Sequence, residues 1–387
     1  MIALTNGKIV TVTGKTYENG TVLVENGKIA AVGAEVQIPA GAEIIDAKGG
    51  YITPGLIDAH THISNFNEPD TMPSLCKDGN EMSDPITPQV RAADAINPWD
   101  YAIEKVRDAG FTTVCTLPGS ANVIGGTGIV YKLRGHTAEE MILPGTEQMK
   151  MALGENPKRV FGTSNKMPMT RMGTAALLRQ TLHDAKVYSD ALLAAEKDPS
   201  KEPPKPDFKM DALVPVVRGE MRCRIHSHRA DDICTAMKIC EEFGLKYSIE
   251  HVTEGYKIVD VLQKKQVTCV VGPHLWAPVK EEIRGMNVEN TGILANAGLH
   301  VCITADTASQ TQYLPMTVGM LMCHGLSEEA AFRGVTIEPA TLLGVADRVG
   351  SIEVGKDADL AVFTGHPFSS MSKCVVTMID GCVVHQG

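Results

Sequence analysis

The sequence predicts an α/β chain: a (β/α)₈ TIM barrel with a small β-sandwich domain built from both termini. Three observations predict it. Both ends of the 387 residues carry short β runs broken by Asn-Gly or Asp-Gly pairs. The middle repeats a phrase of helical stripe, glycine and apolar strand. Histidines and acids fall at the ends of several of those strands, where barrels of this kind collect their chemistry.

The N-terminal runs are residues 8–12, 21–24 and 28–32, with Asn6-Gly7 and Asn26-Gly27 as expected hairpin turns, because both residue types accept positive φ. The last forty residues return to this style. Segments 359–363 and 374–379 read as strands, and Asp380-Gly381 as a turn before 382–385. The termini are therefore expected to meet in one β domain. The divisions are residues 1–51 for its first part, 52–349 for the barrel and 350–387 for its second part.

In the middle, Trp99, Ala102, Ile103 and Val106 form a helical stripe, Gly110 a cap, and 112–117 a strand. Ile233, Ala236, Met237 and Cys240 repeat the stripe before Gly244 and a strand at 247–250, and 290–297 leads through Gly298 to a strand at 300–304. Near-continuous apolar strands suit a parallel sheet covered by helices. A doubly wound open sheet is the structural rival, but Gly125-Gly126-Thr127-Gly128 lacks the G-x-G-x-x-G spacing of its phosphate turn. Two segments interrupt the rhythm: 65–98, a polar, Pro-containing loop with the position of a lid, and 197–209, a solvated connector after a long helix at 174–196.

Composition narrows the function classes. The 36 Lys and Arg against 46 Asp and Glu leave a net charge of −10, and no basic run appears. That argues against nucleic acid or an anionic membrane as partner. No signal peptide or apolar run of membrane-spanning length is visible, which together with ten cysteines and no C-x-x-C pair fits a cytoplasmic protein with buried thiols.

The chemistry begins at Gly55-Leu56-Ile57-Asp58-Ala59-His60-Thr61-His62. Alternate residues of a strand share a face, so His60 and His62 can offer two imidazoles to one ion. Alone such a pair is weak evidence and reads better as two polar residues at a strand end. Arg224-Ile225-His226-Ser227-His228, Ile249-Glu250-His251 and Val301-Cys302-Ile303-Thr304-Ala305-Asp306 then end three later runs. Three strands ending in His and one in Asp are hard to explain as core packing.

With the C-terminal Gly350-Ser-Ile-Glu-Val-Gly-Lys-Asp-Ala-Asp-Leu-Ala-Val, these motifs resemble the amidohydrolase superfamily, and more narrowly its imidazolonepropionase-like and prolidase-like branch. The resemblance covers nearly the whole chain. It implies a metal-dependent hydrolase acting on carbon–nitrogen bonds other than ordinary peptide bonds, in a small cyclic amide, an N-acyl amino acid or a dipeptide. It implies two divalent ions, zinc by the imidazole donors, with His60 and His62 on the more buried ion and His226 and His251 on the second. Asp306 would touch the first ion and act as general base toward a metal-activated hydroxide. For the bridge between the ions there are two candidates. Glu155 lies just past a strand end and needs no modification, and is preferred; Lys150 lies inside the strand and would have to be carboxylated. The losing residue would have a structural role.

Three further side chains are candidate substrate contacts. His228 shares the parity of His226, though it is equally readable as a surface or supporting residue; His274 follows the strand at 267–271; and Arg171 offers a fork for a carboxylate, though a plain surface arginine is the better reading of it. Within enzymes the alternative is a deaminase with a single metal, which uses the same histidines and aspartate without a bridge. In another class, the same fold serves as a non-catalytic scaffold, a reading the intact ligand set opposes. The resemblance also implies a homo-oligomer with a small-molecule substrate.

Overall fold

A computed structural model describes residues 1–68 and 77–387 of the chain. Five strands open it: β1 (Ile2–Val10), β2 (Thr16–Glu25), β3 (Lys28–Gly33), β4 (Glu43–Asp46) and β5 (Tyr51–Pro54). Eight more form the middle: β6 (Leu56–Thr61), β7 (Phe111–Thr116), β8 (Ile124–Lys132), β9 (Gln148–Ala152), β10 (Cys223–Ser227), β11 (Tyr247–His251), β12 (Cys269–Val271) and β13 (Val301–Ile303). Three close it: β14 (Leu360–Phe363), β15 (Cys374–Ile379) and β16 (Cys382–Gln386).

The two termini do share one sheet, in the order β16-β15-β14-β5-β1-β2-β3 with β4 also attached to β1. Leu4, Ile9 and Val22 from the front of the chain pack with Leu360, Val362 and Met378 from the back in a core of their own. Asn26-Gly27 and Asp380-Gly381 are the expected turns, all four residues having φ between 50° and 77°. Asn6-Gly7 is not a turn. It lies inside β1, where the register to β2 slips. Before the slip β1 pairs with β4 and after it with β5. A Cβ on Gly7 would lie 2.7 Å from the Ile52 side chain, so the glycine is set by close packing as well as by the bulge.

The middle strands pair in sequence from β6 to β13, and β13 lies against β6, which nearly closes a TIM-barrel sheet. One strand departs from the expected all-parallel arrangement: β8 runs antiparallel to β7 and β9. The link from Thr116 to Ile124 is too short for a parallel crossover, which needs a dozen or more residues. Gly126, at φ 112°, lets Val90 approach, since a Cβ would lie 2.2 Å from the Val90 carbonyl oxygen. Helices follow most of the other strands. The stripe at residue 99 forms Tyr101–Asp108, capped by the Asp100 carboxylate. The stripe around Ile233 forms Ala230–Phe243, ended by Gly244 at φ 65°. The long helix is Arg171–Lys197, with the Thr170 hydroxyl as its N-cap. The expected loop over 65–98 includes residues 69–76, which lie outside the described residues. Among the described residues no helix is long and apolar enough to cross a membrane.

The barrel interior is layered. Ile57, Cys115, Val130, Val270 and Cys302 fill an apolar layer closed by Leu342 and Val345. Above it lies a polar layer. The Arg224 guanidinium, with no exposure, donates to Glu250 at 2.7 and 2.8 Å, to Gln148 at 2.8 Å and to the Ala59 carbonyl at 2.8 Å. The barrel and the terminal sheet are joined by a second charged cluster. The Lys132 ammonium donates to Asp357 (2.8 Å), to Asp359 (2.9 Å) and to Asp380, and Asp357 also receives Lys28 and Arg348. The Gly-Lys-Asp-Ala-Asp stretch thus ties the returning chain to the foot of β8.

Candidate metal centre

Five strands deliver the residues of this centre to one place. Asp58 and His60 lie on β6 with His62 just beyond; Lys150 is on β9; Arg224 and His226 are on β10 with His228 beyond; Glu250 and His251 end β11; Asp306 follows β13. Strand alternation would send Glu250 and His251 to opposite faces. The chain avoids this by turning His251 to φ 73°, and Asp306 adopts φ 69°. Such left-handed conformations are uncommon outside glycine, and both occur where a side chain must be turned inward.

Each of the four predicted histidine ligands has one ring nitrogen fixed by an acceptor. His60 Nδ1 lies 2.8 Å from a Glu250 oxygen and His62 Nδ1 lies 2.8 Å from the Leu117 carbonyl. His251 Nδ1 lies 2.7 Å from the Gly272 carbonyl and His226 Nε2 lies 3.3 Å from Glu282. Such contacts set the tautomer and leave the opposite nitrogen with a free lone pair. On His226 that nitrogen, Nδ1, is buried and has no hydrogen-bond partner. The Nε2 atoms of His60, His62 and His251 face the Asp306 carboxylate at 3.4, 3.7 and 4.0 Å. An orphaned buried imidazole nitrogen beside convergent lone pairs and a carboxylate is the donor set that a divalent ion fits.

Of the two candidate bridges, the structure brings Lys150 to this centre: its ammonium is 3.0 Å from His60 Nε2. Glu155, preferred on sequence, sits at the start of the helix Glu155–Gly162, and its carboxylate accepts from the Glu282 amide at 3.2 Å. The chain turns away at Gly154, whose φ of 89° only glycine adopts without strain. His228 does join this cluster. Its ring stacks on His251 with centroids 4.5 Å apart, Nδ1 is 2.8 Å from the Thr253 hydroxyl, and Nε2 is 3.3 Å from the Lys280 ammonium. Arg171 is engaged elsewhere, by the Asp232 carboxylate at 3.0 Å. His274 is turned back toward its own strand, with Nε2 3.2 Å from the Val271 carbonyl.

Burial dominates the electrostatics. Desolvation, reinforced by neighbouring lysine charges and companion imidazoles, holds His60, His226, His228 and His251 well below the ordinary histidine value, and His62 at about 3. All are neutral donors at pH 7. Burial lowers Lys150 to about 8, against the pull of Glu250 and Asp306. It raises Asp306 to about 7, against the pull of Lys150 and Lys280. For Glu250, burial alone would raise the carboxyl, but Arg224 outweighs it and holds the group ionised.

Sequence reasoning missed four supporting residues. Glu250 and Arg224 stand beside predicted ligands, and their parity within β10 and β11 was a usable signal. Asp58 shares the face of His60, and its buried carboxylate accepts from the His60 and Ala305 amides and the Thr311 hydroxyl. Glu282 lies in a loop with no pattern to mark it.

With this geometry in view, comparison with known proteins is decisive. The sequence pattern of the amidohydrolase family matches residues 51–384. This chain belongs to the amidohydrolase family. It is similar to an amidohydrolase from Thermotoga maritima of known crystal structure, at 41% identity and a TM-score of 0.95 over the whole of both chains. It is 27% identical to the amidohydrolase tasK of Hapsidospora irregularis over 94% of this chain, which spans 39% of that longer protein. It is 25% identical to an imidazolonepropionase of Geobacillus kaustophilus, over 89% of this chain and 84% of the other. This amidohydrolase thus falls in the imidazolonepropionase-like branch and is a hydrolase of carbon–nitrogen bonds other than ordinary peptide bonds. Its family generally depends on divalent metal.

Proposed function

We propose that this amidohydrolase cleaves the amide bond of a small cyclic amide, an N-acyl amino acid or a dipeptide at a centre for two divalent ions. His60 and His62 would hold one ion, His226 and His251 the other, with Asp306 at the first and Lys150, as its carbamate, between them. The observation that carries this reading is that four imidazoles each have one nitrogen fixed by an acceptor, leaving the other as a lone-pair donor, beside the pair Lys150 and Asp306. Zinc suits neutral imidazole donors. Such ions acidify water toward a pKa of ~7 and polarise a carbonyl oxygen.

The chain's own residues supply the rest. The neutral amine of Lys150 adds CO₂ and releases one proton, which its lowered pKa of about 8 favours. Asp306, whose carboxylate lies 3.4 and 3.7 Å from the Nε2 atoms of His60 and His62, is placed to take a proton from the attacking water and return it to the leaving nitrogen. His228 and Lys280 lie beside the same cluster and are the substrate contacts this reading favours, in place of Arg171 and His274. The branched terminal sheet with its own core is read as the sandwich domain of residues 1–51 and 350–387, around a barrel of 52–349. Family resemblance alone supports a homo-oligomer, and ten cysteines without a C-x-x-C pair support a place in the cytoplasm.

The test is a panel of cyclic amides, N-acyl amino acids and dipeptides assayed before and after removal of metal by a chelator. Turnover that disappears on chelation and returns with zinc is expected. Turnover indifferent to chelation contradicts the reading, and a single ion per chain with release of ammonia from a heterocycle favours the deaminase.

A further inference from the structure

Glu282 is the least expected acid near the centre. It follows β12 on a one-turn segment, Glu281–Ile283, yet it is 1% exposed. A buried carboxylate persists only when its oxygens are satisfied. Oε1 accepts from the Lys280 ammonium at 2.6 Å and lies 3.3 Å from His226 Nε2. Oε2 accepts from the Glu155 amide at 2.7 Å, and the Glu155 carboxylate accepts in return from the Glu282 amide. The space is made by Gly154, where a Cβ would lie 2.5 Å from Oε2.

We propose that Glu282 is a positioning residue for the ion assigned to His226: it fixes His226 as the Nε2–H tautomer and so presents the orphaned Nδ1. This rests on the two-ion reading above. A carboxylate oxygen facing an unprotonated Nε2 would oppose two lone pairs, so the contact itself selects the proton's position. The same Oε1 holds Lys280, whose ammonium is 3.3 Å from His228 Nε2. One carboxylate therefore docks the segment after β12 onto the end of β10, through a cradle built by Gly154 and Glu155 after β9. Docking of that segment and retention of the ion become one equilibrium. Glu155 has a role after all, as the residue that closes the cradle.

The test uses the zinc-loaded full chain. Long-range ¹H–¹⁵N spectra of labelled histidine are expected to show His226 protonated at Nε2 and bound to zinc through Nδ1. Glu282→Leu is expected to weaken one of the two ions by ~10–100-fold in chelator competition. Glu282→Gln, which keeps an acceptor oxygen, is expected to recover most of that loss. A wild-type spectrum with His226 bound through Nε2 overturns the proposal even where Glu282→Leu does not fold. So does a folded Glu282→Leu chain that keeps both ions at wild-type affinity. His226→Asn separates the two levels of the argument: if it too keeps both ions, the two-ion centre itself is wrong; if it alone loses one, only the role of Glu282 is.

Discussion

Lys132 and Lys150 lie on neighbouring strands of one barrel, β8 and β9, and both are almost fully buried, yet their surroundings push them in opposite directions. Burial would lower Lys132, but Asp359, Asp357 and Asp380 outweigh it and raise its pKa above the ordinary value. Lys150 has imidazoles beside it, and burial outweighs the pull of the Glu250 and Asp306 carboxylates, lowering it to about 8. The first lysine is a permanent cation that ties the terminal sheet to the foot of the barrel. The second is an amine available for reaction at the barrel's open end. What separates a joint from a reactive centre in this fold is the number of carboxylates within hydrogen-bond reach of the ammonium.

The comparison breaks most sharply under substitution. Lys150→Met removes the proposed bridge, and losing several kcal/mol of transition-state stabilisation corresponds to a ~10²–10³-fold fall in kcat/KM, with an unchanged or higher Tm. Lys132→Met should do the reverse. It leaves buried carboxylates without their cation, at a cost of about 3–5 kcal/mol in denaturant unfolding, while the ions stay bound.

The pH dependence sharpens the contrast. The folded pKa of Lys132 is raised above its ordinary 10.5, so its contribution to stability is complete below that pH and fades as pH climbs through the folded value. Burial would raise Asp357, but hydrogen bonds from Lys132 and Lys28 prevail and lower it to about 2. Its contribution is therefore present above the ordinary 3.8 and lost as pH falls through about 2. The stability gap between wild type and Lys132→Met should be widest between those limits in urea titrations. For Lys150 the sign is opposite. The amine is mostly neutral only above about pH 8, so recovery of decarboxylated enzyme at fixed dissolved CO₂ should rise about tenfold from about pH 7 to about pH 9 and then level off.

A smaller effect is expected one residue out from the ions. Glu250→Gln removes the charge that orients His60 Nδ1 and should weaken zinc by ~10-fold or somewhat more, measured by competition with a chelating dye. Full wild-type affinity would leave Glu250 as a counter-ion to Arg224 and nothing more.

Much of this was legible before any coordinates. His60, His62, His226, His251 and Asp306 stand where apolar strands end, and those residues do converge. Asn26-Gly27, Asp380-Gly381 and Gly244 are positive-φ positions as their chemistry demands. The departures from expectation share a cause: local pattern does not say which way the chain turns next. Asn6-Gly7 has the composition of a hairpin but sits where β1 changes partner. Glu155 is well spaced from β9 but lies beyond Gly154, which redirects the backbone, whereas Lys150 stands opposite Arg224 in the sheet register. The reversal of β8 was implicit in the short link before it. Glu282 was invisible, because its place depends on a loop folding back over a distance no periodicity records.

The most direct test is the metal content of three gently purified proteins: wild type, Lys150→Met and Glu155→Gln. Two ions per chain in wild type and in Glu155→Gln, with no more than one in Lys150→Met, is the predicted result. Two ions retained by Lys150→Met but lost from Glu155→Gln would return the bridge to Glu155 and contradict the assignment of Lys150.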